Sequence, residues 1–452
     1  MKKLLQQKLL LALAAAVILS ACNDPVFDYI SREVPPEPPL IPGTPTNMVV
    51  FNNNIYVASG AFLWRYAGTR WPRWQGGPTS RDRAPIPQPG GRIIQLAATN
   101  NFLYALTFED SRDRVTFTLR RFDGARWVID DDDTWIIATD KEALEATKWP
   151  PITVAGTIRN IHAVHNALFI NTEVSETNRT AHQIFYIYED QGNPENTPLT
   201  AVNLEFNGEN AEGEISGVAW NGTYYFIPVS YTERIDDTTS RRSGVFVVNS
   251  SAAVVRLISD PVFDPDENKR PDRPAAGRFM GIIHLENAAN TILVIARNGE
   301  LFEVTDNDFS RIEGVSMGNH WATGALAIWR EDADASPSLL LAGRQSRAAL
   351  SQGYVEIEID ANGIVMAPPV GEDPPRAAHN FREPLGREIS GNISSVHDRL
   401  RYTSTIGRHV VNHIFQAPSD ITPNMTLFAS TQLNGLWSYR QRNYIWQWNA
   451  EN

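Results

Sequence analysis

The residues best suited to chemistry fall into a few small clusters. His162 and His165 stand three apart, and His409 and His413 four apart. In a strand the first spacing sends the two rings to opposite faces. The second keeps them on one face but about 13 Å from each other, at roughly 3.3 Å per residue. Neither pair can close on one metal ion from a strand. Asp264, Asp266 and Asn268, within Asp264-Pro265-Asp266-Glu267-Asn268, alternate oxygen ligands as a calcium loop does and are the one weak metal candidate. Lys269 stands where such a loop needs glycine and Ala275 where it needs glutamate, so a solvated loop is the simpler expectation. No Gly-x-Ser-x-Gly, phosphate loop, His-Glu-x-x-His or dinucleotide fingerprint occurs. The expectation is no catalytic residue and no cofactor.

Cys22 is the only cysteine in 452 residues, and its position gives it a different role. Lys2, Lys3 and Lys8 form a basic start, followed by the apolar run Leu9 to Leu19. Eleven apolar residues are too few to span a bilayer, which takes about 20, so the run reads as an export signal. Leu19-Ser20-Ala21-Cys22 closes it and resembles the lipobox of bacterial lipoproteins. That resemblance implies cleavage before Cys22, a diacylglyceryl group on its thiol and an acyl chain such as palmitate on the new amine. At about 0.8 kcal/mol per buried CH₂, several chains anchor firmly. The expected location is the cell envelope, at the outer membrane or a periplasmic face, with the cell surface open as well.

Losing the three signal lysines takes the formal charge from −12 to −15. An acidic chain without a basic block excludes nucleic acid as a partner and excludes polybasic docking on anionic lipid. Apolar content of 42% with 10% aromatics is that of a packed protein, which without disulfides must be held by its core. The sequence divides into a signal peptide at 1–21, a lipidated cysteine with a proline-rich tether at 22–47, and a β domain at 48–452. Pro35-Pro36-Glu37-Pro38-Pro39 and Ile41-Pro42-Gly43-Thr44-Pro45 favour extended polyproline II, suited to a spacer.

Past the tether, short β-type runs alternate with polar turns, and no helical period is sustained. The runs repeat one another. Leu63-Trp64-Arg65-Tyr66-Ala67-Gly68-Thr69-Arg70-Trp71 aligns without gaps on Leu119-Arg120-Arg121-Phe122-Asp123-Gly124-Ala125-Arg126-Trp127. Leu301-Phe302-Glu303-Val304 and Leu436-Trp437-Ser438-Tyr439 keep the same opening order. The template is a strand, a tight turn and a return strand whose aromatic packs across the hairpin. An apolar run such as Leu103 to Leu106 or Leu168 to Ile170 precedes each hairpin, and an inner strand precedes that. Four strands per unit make a propeller blade, with units starting near 46, 93, 158, 215, 280, 321 and 388.

The pattern resembles β-propeller proteins generally, with kelch-like aromatic hairpins but no regular double glycine. Asp130-Asp131-Asp132-Asp133-Thr134-Trp135 partly resembles the Asp-box of sialidase-type propellers, a structural turn. The expected fold is all-β: a propeller of about seven four-stranded blades, with eight as the alternative count. The expected function is a lipid-anchored envelope propeller that binds or scaffolds an envelope protein, peptide or glycan. The alternative is an envelope hydrolase or lyase acting on glycans at the channel mouth, and of the two the non-enzymatic reading is favoured.

Overall fold

A computed structural model describes residues 41–66, 86–87, 90–111, 114–127, 157–174, 182–189, 199–202, 204–206, 209–212, 215–235, 238–251, 253–259, 279–285, 290–297, 299–305, 309–312, 320–330, 337–345, 352–360, 363–364, 366–367, 378–379, 381–382, 388–389, 406, 409–418, 420–421, 426–442 and 445–451. The chain divides into Met1–Pro38 and Pro39–Asn452. The first unit, with Cys22, lies outside the described residues, as do Asp264, Asp266, Asn268 and the Asp130 to Trp135 stretch.

The second unit is all-β and propeller-like. Among the described residues, seven antiparallel sheets follow one another along the chain, each an up-and-down meander. Sheet I runs through Val49–Phe51, Asn54–Ser59, Phe62–Arg65 and Ile86–Pro87; sheet II through Arg92–Ala98, Leu103–Ser111 and Arg114–Phe122; sheet III through Thr157–Val164, Ala167–Val174, His182–Glu189 and Leu199–Val202. Sheet IV is built on Ala219–Trp220, Tyr224–Ile235, Thr238–Asn249 and Val254–Ser259, and sheet V on Phe279–His284, Ile292–Ala296, Leu301–Val304 and Phe309–Arg311. Sheet VI contains His320–Trp329, Ser338–Gln345 and Gln352–Asp360; sheet VII contains Val411–Gln416, Leu427–Thr431, Gly435–Arg442 and Ile445–Ala450. A two-stranded ribbon, Met366–Ala367 with Ala378–His379, stands apart from these.

The second strand of each sheet explains its unbroken apolar sequence. Successive side chains point to opposite faces, and here both faces are covered by a neighbouring sheet. In sheet III, Leu168 and Ile170 pack towards sheet II, while Ala167 and Phe169 pack towards sheet IV. Seven buried clusters result, each spanning two sheets: I–II, II–III, III–IV, IV–V, V–VI, VI–VII and VII–I. The aromatic hairpins feed these clusters. Phe122 and Trp127 bridge across the turn at Gly124, whose φ is 99°, and their rings sit 5.3 Å apart in the I–II cluster.

The first strands are irregular by comparison. In sheets II, III, V, VI and VII their pairing with the second strand carries a register shift. Such bulges add local twist and re-aim a side chain out of the sheet. At Gly281 and Gly324 the first strands of sheets V and VI meet backbone to backbone. A Cβ on Gly281 would lie 2.6 Å from the Gly324 carbonyl oxygen, and Gly324 holds φ at 89°, so neither position has room for a side chain.

Two sequence expectations change. Glu388–Ile389 pairs with Phe381–Arg382 at the outer edge of sheet VI, so it does not open the seventh unit; Val411–Gln416 does. The true opening strand is hard to see because Asn412, His413 and Gln416 interrupt its apolar pattern. The spacer also ends earlier than residue 47. Ile41 is fully buried in the VII–I cluster. Its carbonyl accepts from the Leu436 amide, and the Gly43 carbonyl accepts from the Gly435 amide at 2.8 Å. Leu433 N donates to Thr44 Oγ1, and Ser430 Oγ donates to the Thr46 carbonyl at 2.7 Å. Residues 41–47 are a strap sealed along sheet VII.

Candidate functional site: a cavity framed by the first strands

The first strands of six sheets, and the segment just ahead of Ala219–Trp220 in sheet IV, border a cavity of about 1290 Å³. Its wall passes through Asn47 to Val50, Ile93 to Ala98, Ile161 to Ala163, Ser216 to Val218, Gly281–Ile282, Gly324 with Leu326, and Asn412–His413. Pro42 to Thr46, Ser59–Gly60, Arg92 and Leu433 add to the lining.

First strands are sheet edges, and each has backbone groups on its cavity side that no fifth strand pairs. Side-chain amides answer them across the seams. Asn47 Nδ2 donates to the Leu96 carbonyl at 2.7 Å while its Oδ1 accepts from Leu96 N at 2.8 Å. Gln95 does the same to Ile161, at 2.6 and 3.0 Å, and Gln416 to Arg330, at 2.7 and 3.1 Å. Thr323 Oγ1 donates to the Val411 carbonyl. The bulge ahead of Gln95 frees it from the pleat to reach sheet III. Sequence reasoning missed this set. Its signal was an amide before an aliphatic at the head of an inner run, as in Asn47-Met48, Gln95-Leu96 and Asn160-Ile161.

Two histidines stand on the wall. His162 Nε2 donates to the Ile215 carbonyl at 3.2 Å, and His413 Nδ1 accepts from Met48 N at 3.2 Å across the VII–I seam. Burial lowers both from 6.5 to about 4, the carbonyl contact opposing it at His162. Both rings are therefore neutral at pH 7 and poor proton acceptors, whereas a general base works best near the ambient pH. His165 and His409 lie elsewhere. His165 sits in a turn at φ 54° against Trp220, and His409 packs on Trp437. Neither His165 nor His409 lies in a strand, so the strand spacing expected for the two pairs does not apply to them.

Arg92 is the only charged side chain among the described residues lining the cavity. It is exposed, and its guanidinium covers the Phe108 ring at 5.1 Å. No group of three or more His, Cys, Asp or Glu side chains among the described residues could hold a metal ion. The lining thus offers neutral hydrogen-bonding groups and apolar surface, with one cation.

No family model matches the chain, and no curated protein matches it either. Solved structures with a partial likeness include an alpha-L-arabinanase of Penicillium chrysogenum complexed with arabinobiose: 10% identity, 67% of this chain and 89% of that one, TM-score 0.37. An apocarotenoid oxygenase of Synechocystis shares 10% identity over 71% of this chain and 69% of its own, TM-score 0.35. A beta-fructofuranosidase of Bombyx mori shares 9% over 76% and 89%, TM-score 0.31. At such scores the likeness decides neither activity nor blade number.

Proposed function

We propose that this chain is a lipid-anchored envelope protein whose body is a closed, seven-bladed β-propeller, and that the cavity is a binding site rather than a catalytic one. Seven interface clusters for seven sheets, the VII–I cluster among them, support closure. The observation that carries the binding reading is that the described cavity wall, Arg92 apart, is uncharged. Its described lining holds no carboxylate, and both of its histidines stay uncharged at pH 7. A pocket of that size with a few placed polar groups suits an uncharged peptide segment or glycan. Membrane attachment through Cys22, and a protein or glycan partner in the envelope, complete the reading.

The alternative is a glycan-cleaving hydrolase or lyase. Glycoside hydrolysis ordinarily takes two carboxylates about 5 to 10 Å apart. Among the described lining residues there is none, so such a pair would come from outside them. One experiment separates the readings: titrate the purified body with neutral oligosaccharides and peptides by calorimetry, and assay the same mixtures for cleavage. Binding without product is expected; repeated turnover of a glycan would overturn the binding reading. For the anchor, fatty-acid labelling of wild type and Cys22→Ala should mark only the former, and unlabelled wild type would overturn it.

A further inference from the structure

The amide that reaches across the seam between sheets III and IV makes only half of the bond pair that Asn47, Gln95 and Gln416 make at theirs. Asn160 Nδ2 donates to the Ile215 carbonyl at 2.7 Å, as its counterparts do. Its Oδ1 is buried with no protein partner, whereas the oxygens of Asn47 and Gln95 accept from a backbone amide. Beside it, Ser216 Oγ is buried without a protein partner, on the cavity wall.

A second departure lies directly across the strand pair. Asn160 faces Asn171 in the register of sheet III. At the same place, opposite the bulge, sheet II has Leu106 and sheet V has Ile295, both in the cluster shared with the next sheet. Asn171 is fully buried, and neither its Oδ1 nor its Nδ2 has a protein partner. Phe169, two residues before it on the same strand face, packs towards sheet IV, so Asn171 faces the same seam. An amide costs stability where its neighbours show that an aliphatic fits, unless something answers it.

The donor and acceptor inventory says what could. Asn171 offers two N–H donors and an oxygen, Asn160 an oxygen, and Ser216 a hydroxyl. His162, with Nε2 given to the same Ile215 carbonyl, keeps Nδ1 as an acceptor on the cavity wall. A cation would leave the Asn171 N–H groups unanswered, and an anion would meet mostly oxygen. A hydroxyl both donates and accepts, which matches the mixed set.

We propose that Ser216 and His162 on the cavity wall, with Asn160 and Asn171 at the III–IV seam, form a hydroxyl-binding site that takes the hydroxyl groups of a neutral sugar. This rests on the cavity being a ligand site and names the ligand class for it. Water offers the same chemistry, so the test separates the two sources.

The probes are neutral tri- to pentasaccharides of glucose, xylose and N-acetylglucosamine, titrated into wild type, Ser216→Ala and Asn171→Leu. Asn171→Leu restores the aliphatic that other sheets carry, and Ser216→Ala removes only an oxygen, so at least one variant should fold. One of the sugars should bind wild type, with each variant weakening it about tenfold, the value of one hydrogen bond to a neutral group. In ¹⁵N spectra the side-chain amide signals of Asn171, identified by their loss in Asn171→Leu, should move on sugar addition. If a sugar binds with equal affinity to all three proteins and those signals stay still, the site holds water only and the proposal fails. If peptides bind and no sugar does, the proposal fails while the cavity remains a binding site.

Discussion

Lowering the pH from 6.5 to 4 should loosen the seam between sheets VII and I through His413. Its Nδ1 accepts from the Met48 amide, and burial holds the ring's pKa at about 4 against 6.5 in an unfolded chain. The unfolded chain therefore takes up a proton at a pH where the folded one does not. The histidine's full contribution is present above pH 6.5, falls as the pH drops, and is gone below about 4. A gap of that size is worth about 3 kcal/mol at 1.36 kcal/mol per unit. For a body of this length that is roughly 4 °C in melting temperature. His413→Gln keeps an acceptor for Met48 N–H but cannot titrate. Urea unfolding of wild type and variant at pH 7, 5.5 and 4.5 isolates the term, because all other titrating groups are common to both. The variant should lose about 2 kcal/mol less than wild type between pH 7 and 4.5; parallel losses would refute the reasoning.

Other perturbations test the frame. Gln95→Leu removes both bonds to Ile161 and leaves the buried edge unanswered; a loss of about 1–3 kcal/mol is expected in urea unfolding. Gly324→Ala places a Cβ against the Met280 carbonyl at a φ of 89° and should cost more than an ordinary exposed Gly→Ala change, read as a fall in melting temperature and soluble yield. Ile41→Ala should cost about 2–4 kcal/mol although the residue falls in a proline-rich stretch, and a change under 0.5 kcal/mol would show that the strap is not sealed.

The sheets were legible because their second strands are covered on both faces and their hairpins repeat an aromatic packing rule. Leu103 to Leu106 and Leu168 to Ile170 are continuous apolar runs for that reason, and Trp127 packs on Phe122 across its hairpin as its repeated position implied. The inner strands were less legible because their task is different. Asn412, His413 and Gln416 serve a seam and a cavity, so they break the alternation on which a strand is recognised, and a unit start read near 388 took their place. The cavity itself had no local signature, since its wall is assembled from short segments spread over the chain from residue 42 to 433. Strand spacing spoke only of residues close in sequence, such as His162 and His165. It could not bring His162 near Ser216, because that neighbourhood depends on one sheet packing against the next.

The strap has a consequence for the order in which the molecule can form. Ser430 meets Thr46 across a sequence separation of 384 residues, and Leu433 meets Thr44 across 389. A chain made from its N-terminus must therefore hold Ile41 and the outer face of sheet I unsatisfied until almost everything else has emerged. Loop-closure entropy makes so distant a contact slow to form, and the waiting apolar face is where premature association with another copy would begin. The seam that completes the body last is thus also its kinetic weak point, and crowding during synthesis, rather than heat afterwards, is the stress that would expose it first.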